Sequence, residues 1–312
     1  MIYIPGERCY DEIKLNTNEN IFSNSKNCFH FLKIFLFYIE KLKFYPHSEN
    51  IFLINILSKH YKINKNNIFL CNGSDEGLFF IFFLFKNFKI KIPTISYPFY
   101  KIYSNFFKIY KKEVKYKNIL NYKYILFPIP NSPSGEYYSF QNLFKKYQKN
   151  NIIIIDEAYN EFYNLGYKKY INNKKNIIII NTLSKAFSMA SLRIGIIFSN
   201  CFIINKLKFI KKNFNSYNIN LISSYLAIES IKDFNYLNYN IKKNNYNKLL
   251  FNLIFKKKNY GNFILIKKKI DFFIYYKKRK IFLRYLKNNI IRISISYYKI
   301  LKIFLNILNN WS

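Results

Sequence analysis

Four stretches of this chain are almost wholly apolar and β-favouring: "KYILFPIP", "NNIIIIDEAY", "KNIIIINTLSK" and "LRIGIIFS". None alternates apolar with polar residues. A strand with one wet face has to alternate, so these runs predict strands buried on both faces. Strands of that kind belong to a parallel sheet covered by helices. Helical patterns such as "SFQNLFKKYQK" fall between the runs, and the alternation predicts an α/β domain. The most apolar run, "LFFIFFLF" (Leu78 to Phe85), is far short of the roughly 20 residues a membrane span needs. It reads as a buried helix.

The pattern changes towards the C-terminal end. Between Tyr236 and Lys257, Tyr246, Leu249, Leu250 and Leu253 recur at helical spacing. This predicts a long amphipathic helix with those residues inward. "GNFILIKK", "IDFFIYYKKR" and "NIIRISIS" then read as short antiparallel strands, followed by a terminal helix. The expected architecture is an α/β core followed by a small α+β domain.

The 312 residues include 51 Lys+Arg against 16 Asp+Glu, a formal charge of +35. A balance of this kind ordinarily points to nucleic acid or an anionic membrane. Here the lysines are spread along the whole length and travel with Ile, Asn, Phe and Tyr, while Gly and Pro number seven each. All five abundant types have A/T-rich codons, so genomic base bias accounts for the charge. Specific nucleic-acid binding is not expected; weak binding at low salt is. Cys9, Cys28, Cys71 and Cys201 form no CxxC pair, and no signal peptide opens the chain, which fits a reducing cytoplasm. His30, His47 and His60 lack metal-ligand spacing; His30 and His60 read as surface or capping residues.

In open α/β sheets, ligands bind beyond the carboxyl ends of the strands. Three such places here carry polar residues. Asp156 closes "IIIID", where a helix cap or the carboxylate of a nucleotidase are alternatives; the second lacks a phosphate-binding G-x-x-x-x-G-K-[ST] loop. Lys185 follows a strand between Ser184 and Ala186-Phe187. Partial desolvation there lowers a lysine's pKa and makes it a Schiff-base former; a solvated surface lysine is the bland alternative. Gly73-Ser74-Asp75 precede an apolar helix whose free N–H groups suit a phosphate, or Ser74 is an ordinary cap. A lysine for a Schiff base, a carboxylate for a pyridine nitrogen and a helix N-terminus for a phosphate together describe a pyridoxal 5′-phosphate site.

Taken in order, "YIPGERCYDEIKLNTNEN", "YPHSEN", "NGSDEG", "PFYKIY", "PNSPSG", "DEAYNEF", "TLSKAFSMASLRIG", "GNFIL" and "IIRIS" give the chain an almost end-to-end likeness. It resembles the fold-type I pyridoxal-phosphate-dependent aminotransferases, and within them the histidinol-phosphate aminotransferase family. The resemblance implies a mostly parallel central sheet with a smaller α+β domain built from both chain ends. The expected division is an arm and part of the small domain at 1–46, the cofactor domain at 47–235, and an interdomain helix with the rest of the small domain at 236–312. It also implies a homodimer that transaminates L-histidinol phosphate with 2-oxoglutarate. An aromatic-amino-acid aminotransferase and a threonine-phosphate decarboxylase share the fold, and an inactive basic binding protein on this scaffold is the rival from another class.

Position by position, the resemblance gives Lys185 the covalent link to the cofactor and Asp156 its ring nitrogen. Tyr159 and Ser132 fall at its ring oxygen, and Tyr100 on its ring face. Ser74, Asp75, Ser184 and Arg193 surround the phosphate, and Tyr45 reaches the phosphate of the neighbouring subunit. Arg292 takes the substrate carboxylate as a bidentate fork, with Asn20 and Asn262 lining the substrate pocket. The chain departs from the family in three ways. Ser132 replaces an asparagine, the Pro and Gly that usually follow "NEN" are missing, and the chain is trimmed, as expected in loops and the small domain. Scarce glycine predicts asparagine at turns needing positive φ.

Overall fold

The structure is a computed structural model that describes residues 6, 13–137, 152–163, 166–171, 176–256, 259–286 and 288–309. The segment "SFQNLFKKYQK" lies outside the described residues. The isoleucine runs become the middle of a seven-stranded sheet. Its strands are β2 (Ile68–Asn72), β3 (Ile90–Pro93), β4 (Lys111–Val114), β5 (Tyr124–Pro128), β6 (Ile152–Asp156), β7 (Ile177–Thr182) and β8 (Ile194–Phe198), in the order β2-β8-β7-β6-β5-β3-β4. β3 to β7 pair in parallel, whereas β8 is antiparallel to both β7 and β2. Only residues 183–193 join β7 to β8. A parallel return needs a crossover of a dozen or more residues, usually helical, so this connection turns the chain back.

Both faces of the sheet are covered, as the runs demand. Ile153, Ile155, Ile177 and Ile179 pack with Leu53 and Leu57 of α2 (Ile51–Tyr61) and Leu226 and Ile228 of α6 (Leu221–Lys232). Ile154, Ile178 and Ile180 point the other way, onto Leu78, Phe80 and Ile81 of α3 (Gly73–Leu84) and Ile204 and Leu207 of α5 (Cys201–Phe214). Full burial of each isoleucine contributes roughly 1.5–3 kcal/mol. The run "LFFIFFLF" is therefore a core helix, α3, as expected. No helix among the described residues is long and apolar enough to cross a membrane.

A third buried cluster joins the two ends of the chain. Leu15 packs with Ile264, Ile266, Tyr276, Ile291, Ile293 and Phe304. β1 (Ile13–Lys14) pairs with β10 (Ile281–Phe282), and β11 (Arg284–Leu286), β12 (Ile290–Ser294) and β9 (Phe263–Lys267) form an antiparallel sheet. The expected strand "IDFFIYYKKR" is instead a helix, α8 (Ile270–Lys278). Its aromatic residues favour strands locally, but Phe272 and Tyr276 are the buried pair, four residues apart, and Ile274 is exposed. Tyr276 stacks on Phe304 of α9 (Tyr298–Asn309) and donates its hydroxyl to the Phe304 carbonyl at 2.9 Å. Tertiary packing overrides the propensity.

The long helix α7 (Phe234–Ile254) forms, but with a different face inward. Tyr246, Leu249 and Leu253 are exposed, and Leu237, Asn240, Asn244, Asn247, Lys248 and Phe251 are buried. Of the expected stripe, Leu250 alone is partly buried, packing with Phe251 against the third cluster, while Asn245 donates to the Phe162 carbonyl at 2.8 Å. His60 is another correction. It is half-buried, with its ring edge-on to Tyr61, Phe187 and Phe234, and burial lowers its basicity. Positive φ falls on Asn18, Asn50, Asn288 and Asn289 as expected, but also on Lys62, Lys108, Lys256 and Lys280.

One close approach sets the geometry of the sheet's binding edge. Gly195 of β8 lies against Gly73 at the start of α3, and a Cβ on Gly195 would stand 2.4 Å from the Gly73 carbonyl carbon. Backbone cannot swing aside as a side-chain tip can. Gly195→Ala is expected to destabilise the protein by about 1–3 kcal/mol, read as a lower urea midpoint.

Candidate active site

The strand directions bring separate parts of the sequence to one edge. Pro128, Asp156 and Ile180 are aligned across β5, β6 and β7, and Thr182 is level with Gly195. Because β8 runs backwards, its first residues lie at the edge where its neighbours finish. Arg193 thus joins the carboxyl ends of β2, β6 and β7. A cavity at this edge is lined by ten of the thirteen expected residues: Ser74, Asp75, Tyr100, Ser132, Asp156, Tyr159, Ser184, Lys185, Arg193 and Arg292.

Asp156 is buried and accepts the Tyr100 hydroxyl at 2.7 Å and the Ala158 N–H at 3.0 Å. Burial pushes its carboxyl up to about 6, the Tyr100 and Ala158 bonds pull the other way, and Asp75 and Glu157 add repulsion. Tyr100 lines the cavity with a fully buried ring while its hydroxyl holds Asp156. The half-buried Lys185 sends Nζ across the Tyr159 ring, 5.6 Å from its centre, and donates to the Thr17 carbonyl at 3.3 Å. Burial works to raise the pKa of Tyr159. Lys185 and Arg292, helped by bonds from Asn18 and Ser132, outweigh it and hold the phenol below its usual range.

Beside them is a cradle for an anion. Gly73 has φ 79°, and a Cβ there would meet Nη2 of Arg193 at 2.4 Å. The bare glycine lets the guanidinium lie across the first turn of α3. Arg193 pairs with Asp75 at 3.2 Å, and Tyr97 donates to the other oxygen of Asp75 at 2.8 Å. Ser184 stands close by, its N–H donating to Thr182 at 3.1 Å. Free N–H groups at a helix start, an arginine and a hydroxyl are what a phosphate ester requires. A buried carboxylate suits a cationic ring nitrogen, and a lysine stands across from it. The residues present therefore fit pyridoxal 5′-phosphate.

Three expected residues lie elsewhere. Asn20 donates to the Ala186 carbonyl at 2.9 Å. Asn262 is fully buried and donates to the Asn18 carbonyl at 2.9 Å. Tyr45 is 82% exposed and stacks on Tyr217, away from this chain's own cavity. Sequence reasoning passed over two others. Asn18, in the same "LNTNEN" stretch as Asn20, donates to the Tyr159 hydroxyl at 2.9 Å. Arg284 also lines the cavity, directly opposite Arg292 in the β11–β12 register. A signal for Arg284 was present. Only five of the 51 basic residues are arginine, namely Arg8, Arg193, Arg279, Arg284 and Arg292. In a chain so biased to lysine, an arginine marks a place where the fork geometry matters.

The position of Asp156 has a measurable consequence in cofactor-free protein. Its folded pKa lies above the unfolded value, so the folded state binds the extra proton. The contribution of Asp156 to stability is then greatest at low pH and falls as pH rises from about 4 to about 6. Asp156→Asn should remove that dependence and stabilise the cofactor-free protein at pH 7 by about 2–3 kcal/mol. Urea unfolding at pH 4 and pH 7 measures it, and equal effects at both would contradict the assignment.

Comparisons with known proteins identify the family. A family model described as aminotransferase class I and II matches residues 10–305. A histidinol-phosphate aminotransferase from Clostridium beijerinckii is 35% identical over 256 residues, covering 77% of this chain and 71% of that relative. The solved histidinol-phosphate aminotransferase from Clostridium acetobutylicum superposes with a TM-score of 0.84 at 22% identity, covering 96% of this chain and 98% of the other. The one from Sinorhizobium meliloti, solved in complex with pyridoxal 5′-phosphate, gives 0.82 at 18% identity, covering 96% and 92%. These two share the fold with this chain. The chain belongs to the class I and II aminotransferases and is an enzyme of that family, dependent on pyridoxal 5′-phosphate.

Proposed function

We propose that this aminotransferase moves an amino group between L-histidinol phosphate and 2-oxoglutarate, forming imidazole-acetol phosphate and glutamate. The names of its relatives support this substrate. The observation that carries it is the pairing of Arg284 with Arg292 on adjacent strands, both at the cavity. One arginine suffices for an α-carboxylate. L-histidinol phosphate has no carboxylate and instead carries a phosphate that is a dianion near neutral pH. Two neighbouring guanidinium groups match that charge and serve the carboxylate of glutamate in the other half of the cycle.

When bound, pyridoxal 5′-phosphate supplies an electron sink for the electrons of the substrate Cα–H bond. Lys185 is the base that takes the α-proton through Nζ. Asp156 holds the ring nitrogen in its cationic state, and Tyr100 keeps that carboxylate in place. Tyr159 donates to the ring oxygen, and Ser132, bonded to Tyr159, stands beside it. The first turn of α3, Ser184 and Arg193 hold the phosphate, so binding energy remote from the reacting carbon fixes its orientation.

A homodimer in the cytoplasm belongs to the same proposal. Phe37, Phe44, Tyr45 and Phe52 are each more than 60% exposed within one stretch of chain, an apolar surface that a second copy would cover. In that dimer Tyr45 serves the partner's phosphate cradle. Sedimentation should show a dimer, and Tyr45→Ala should weaken cofactor affinity while the dimer persists. A monomeric wild-type protein would sink this part.

Half-reactions with L-histidinol phosphate, tyrosine and threonine phosphate test the substrate. Fastest turnover of tyrosine, or carbon dioxide release from threonine phosphate, would replace the present reading. Arg284→Leu should raise KM for L-histidinol phosphate about tenfold or more, the worth of a charge-assisted hydrogen bond, and should affect glutamate less.

A further inference from the structure

Residues 15–18 run from the three-stranded sheet to the cavity and are bonded at both ends. On the sheet side, Ser294 N–H donates to the Leu15 carbonyl at 2.9 Å and Arg292 Nη2 to the Asn16 carbonyl at 2.9 Å. Asn262 donates to the Asn18 carbonyl at 2.9 Å, and Asn18 N–H donates to Ser294 Oγ at 2.9 Å. On the cavity side, Lys185 donates to the Thr17 carbonyl and the Asn18 amide reaches Tyr159. Asn18 is fully buried and sits at φ 55°, a conformation that asparagine tolerates better than most residues.

We propose that Asn18 is a positioning residue for Tyr159: its side-chain N–H fills one lone pair of the phenolic oxygen, so that the phenolic proton is aimed into the cavity. This rests on the reading of Tyr159 as a donor to the cofactor's ring oxygen. A phenol has a single proton to give. If the Asn18 carbonyl faced Tyr159 instead, that proton would be spent on Asn18 and none would reach the cofactor. The surroundings favour the N–H end. Lys185 and Arg292 are the charged groups that bear on the Tyr159 oxygen, and both draw negative charge onto it. An electron-rich oxygen attracts the donor end of a neighbouring amide. The other end of the amide, Asn18 Oδ1, lies 3.1 Å from Ser294 Oγ, whose one proton it shares with the Leu15 carbonyl at 3.0 Å. Ser294 is two residues beyond Arg292 on β12, so one strand carries the substrate's anion seat and the clamp on Asn18.

Two variants keep the backbone conformation. Asn18→Gly deletes the amide at a φ that glycine adopts freely, and Asn18→Asp keeps the shape but replaces the donor with an acceptor. The readout is the titration of Tyr159, followed by NMR on cofactor-free protein labelled with 13C at tyrosine Cζ, the resonance being assigned with Tyr159→Phe. Loss of a donor to the phenolate should raise the Tyr159 midpoint by about one unit in Asn18→Gly. Asn18→Asp should raise it further, because it adds a negative charge as well. A midpoint that stays in place or falls in either variant overturns the proposal. Should Asn18→Gly fail to fold, the isosteric aspartate variant decides alone. The functional reading of Tyr159 is tested separately: if Tyr159→Phe leaves the pH dependence of the bound cofactor's absorbance unchanged, that reading fails, while the NMR result still decides the placement of Asn18.

Discussion

The directions of β5, β6, β7 and β8 are the constraint on which the remainder depends. Three parallel strands end at one edge, and the backward strand begins there. Asp156 ends β6, Lys185 and Arg193 lie near the two ends of the one β7–β8 connection, and this register brings all three together. The register is held because each strand is buried on both faces. A one-residue slip would exchange the residues packed against α2 and α6 for those packed against α3 and α5. The close contact of Gly195 with Gly73 then joins β8 to α3, so the strand that delivers Arg193 also places the helix N-terminus beside it.

The same composition that inflates the charge leaves its mark on the interior. Asn240, Asn244 and Asn247 are buried in α7, although Tyr246, Leu249, Leu250 and Leu253 were the residues expected inward, and lysines occupy left-handed positions where glycine is easier. Such replacements are tolerated where the local loss is modest. Arginine behaves differently. Arg193, Arg284 and Arg292 persist against the bias at the cavity, where a lysine offers a point charge but no bidentate fork.

Long apolar runs and ordered motifs carried most of the fold and the cofactor site. Lys185, Asp156 and the start of α3 were legible because each is tied to the end of a strand or the start of a helix, which local pattern reveals. The inward face of α7 and the identity of α8 were not. Tyr246, Leu249 and Leu253 have the spacing of a buried stripe, yet Leu237 and Phe251 are the apolar residues that α7 buries, and Asn245 meets the Phe162 carbonyl. In "IDFFIYYKK" the aromatic residues suit a strand or a helix, and Phe304 decides between them.

By itself the sequence determined the two-faced sheet, the chemistry at its edge and the family, since these depend on residue type and order. Tertiary structure alone decided which polar residues meet. Asn18 rather than Asn20 reaches Tyr159, because Ser294 and Asn262 grip residue 18 from the small sheet. Arg284 stands beside Arg292 because β11 and β12 pair antiparallel in that register. Both outcomes rest on contacts between segments far apart in the chain, and the spacing of residues along one strand or helix carries no record of them.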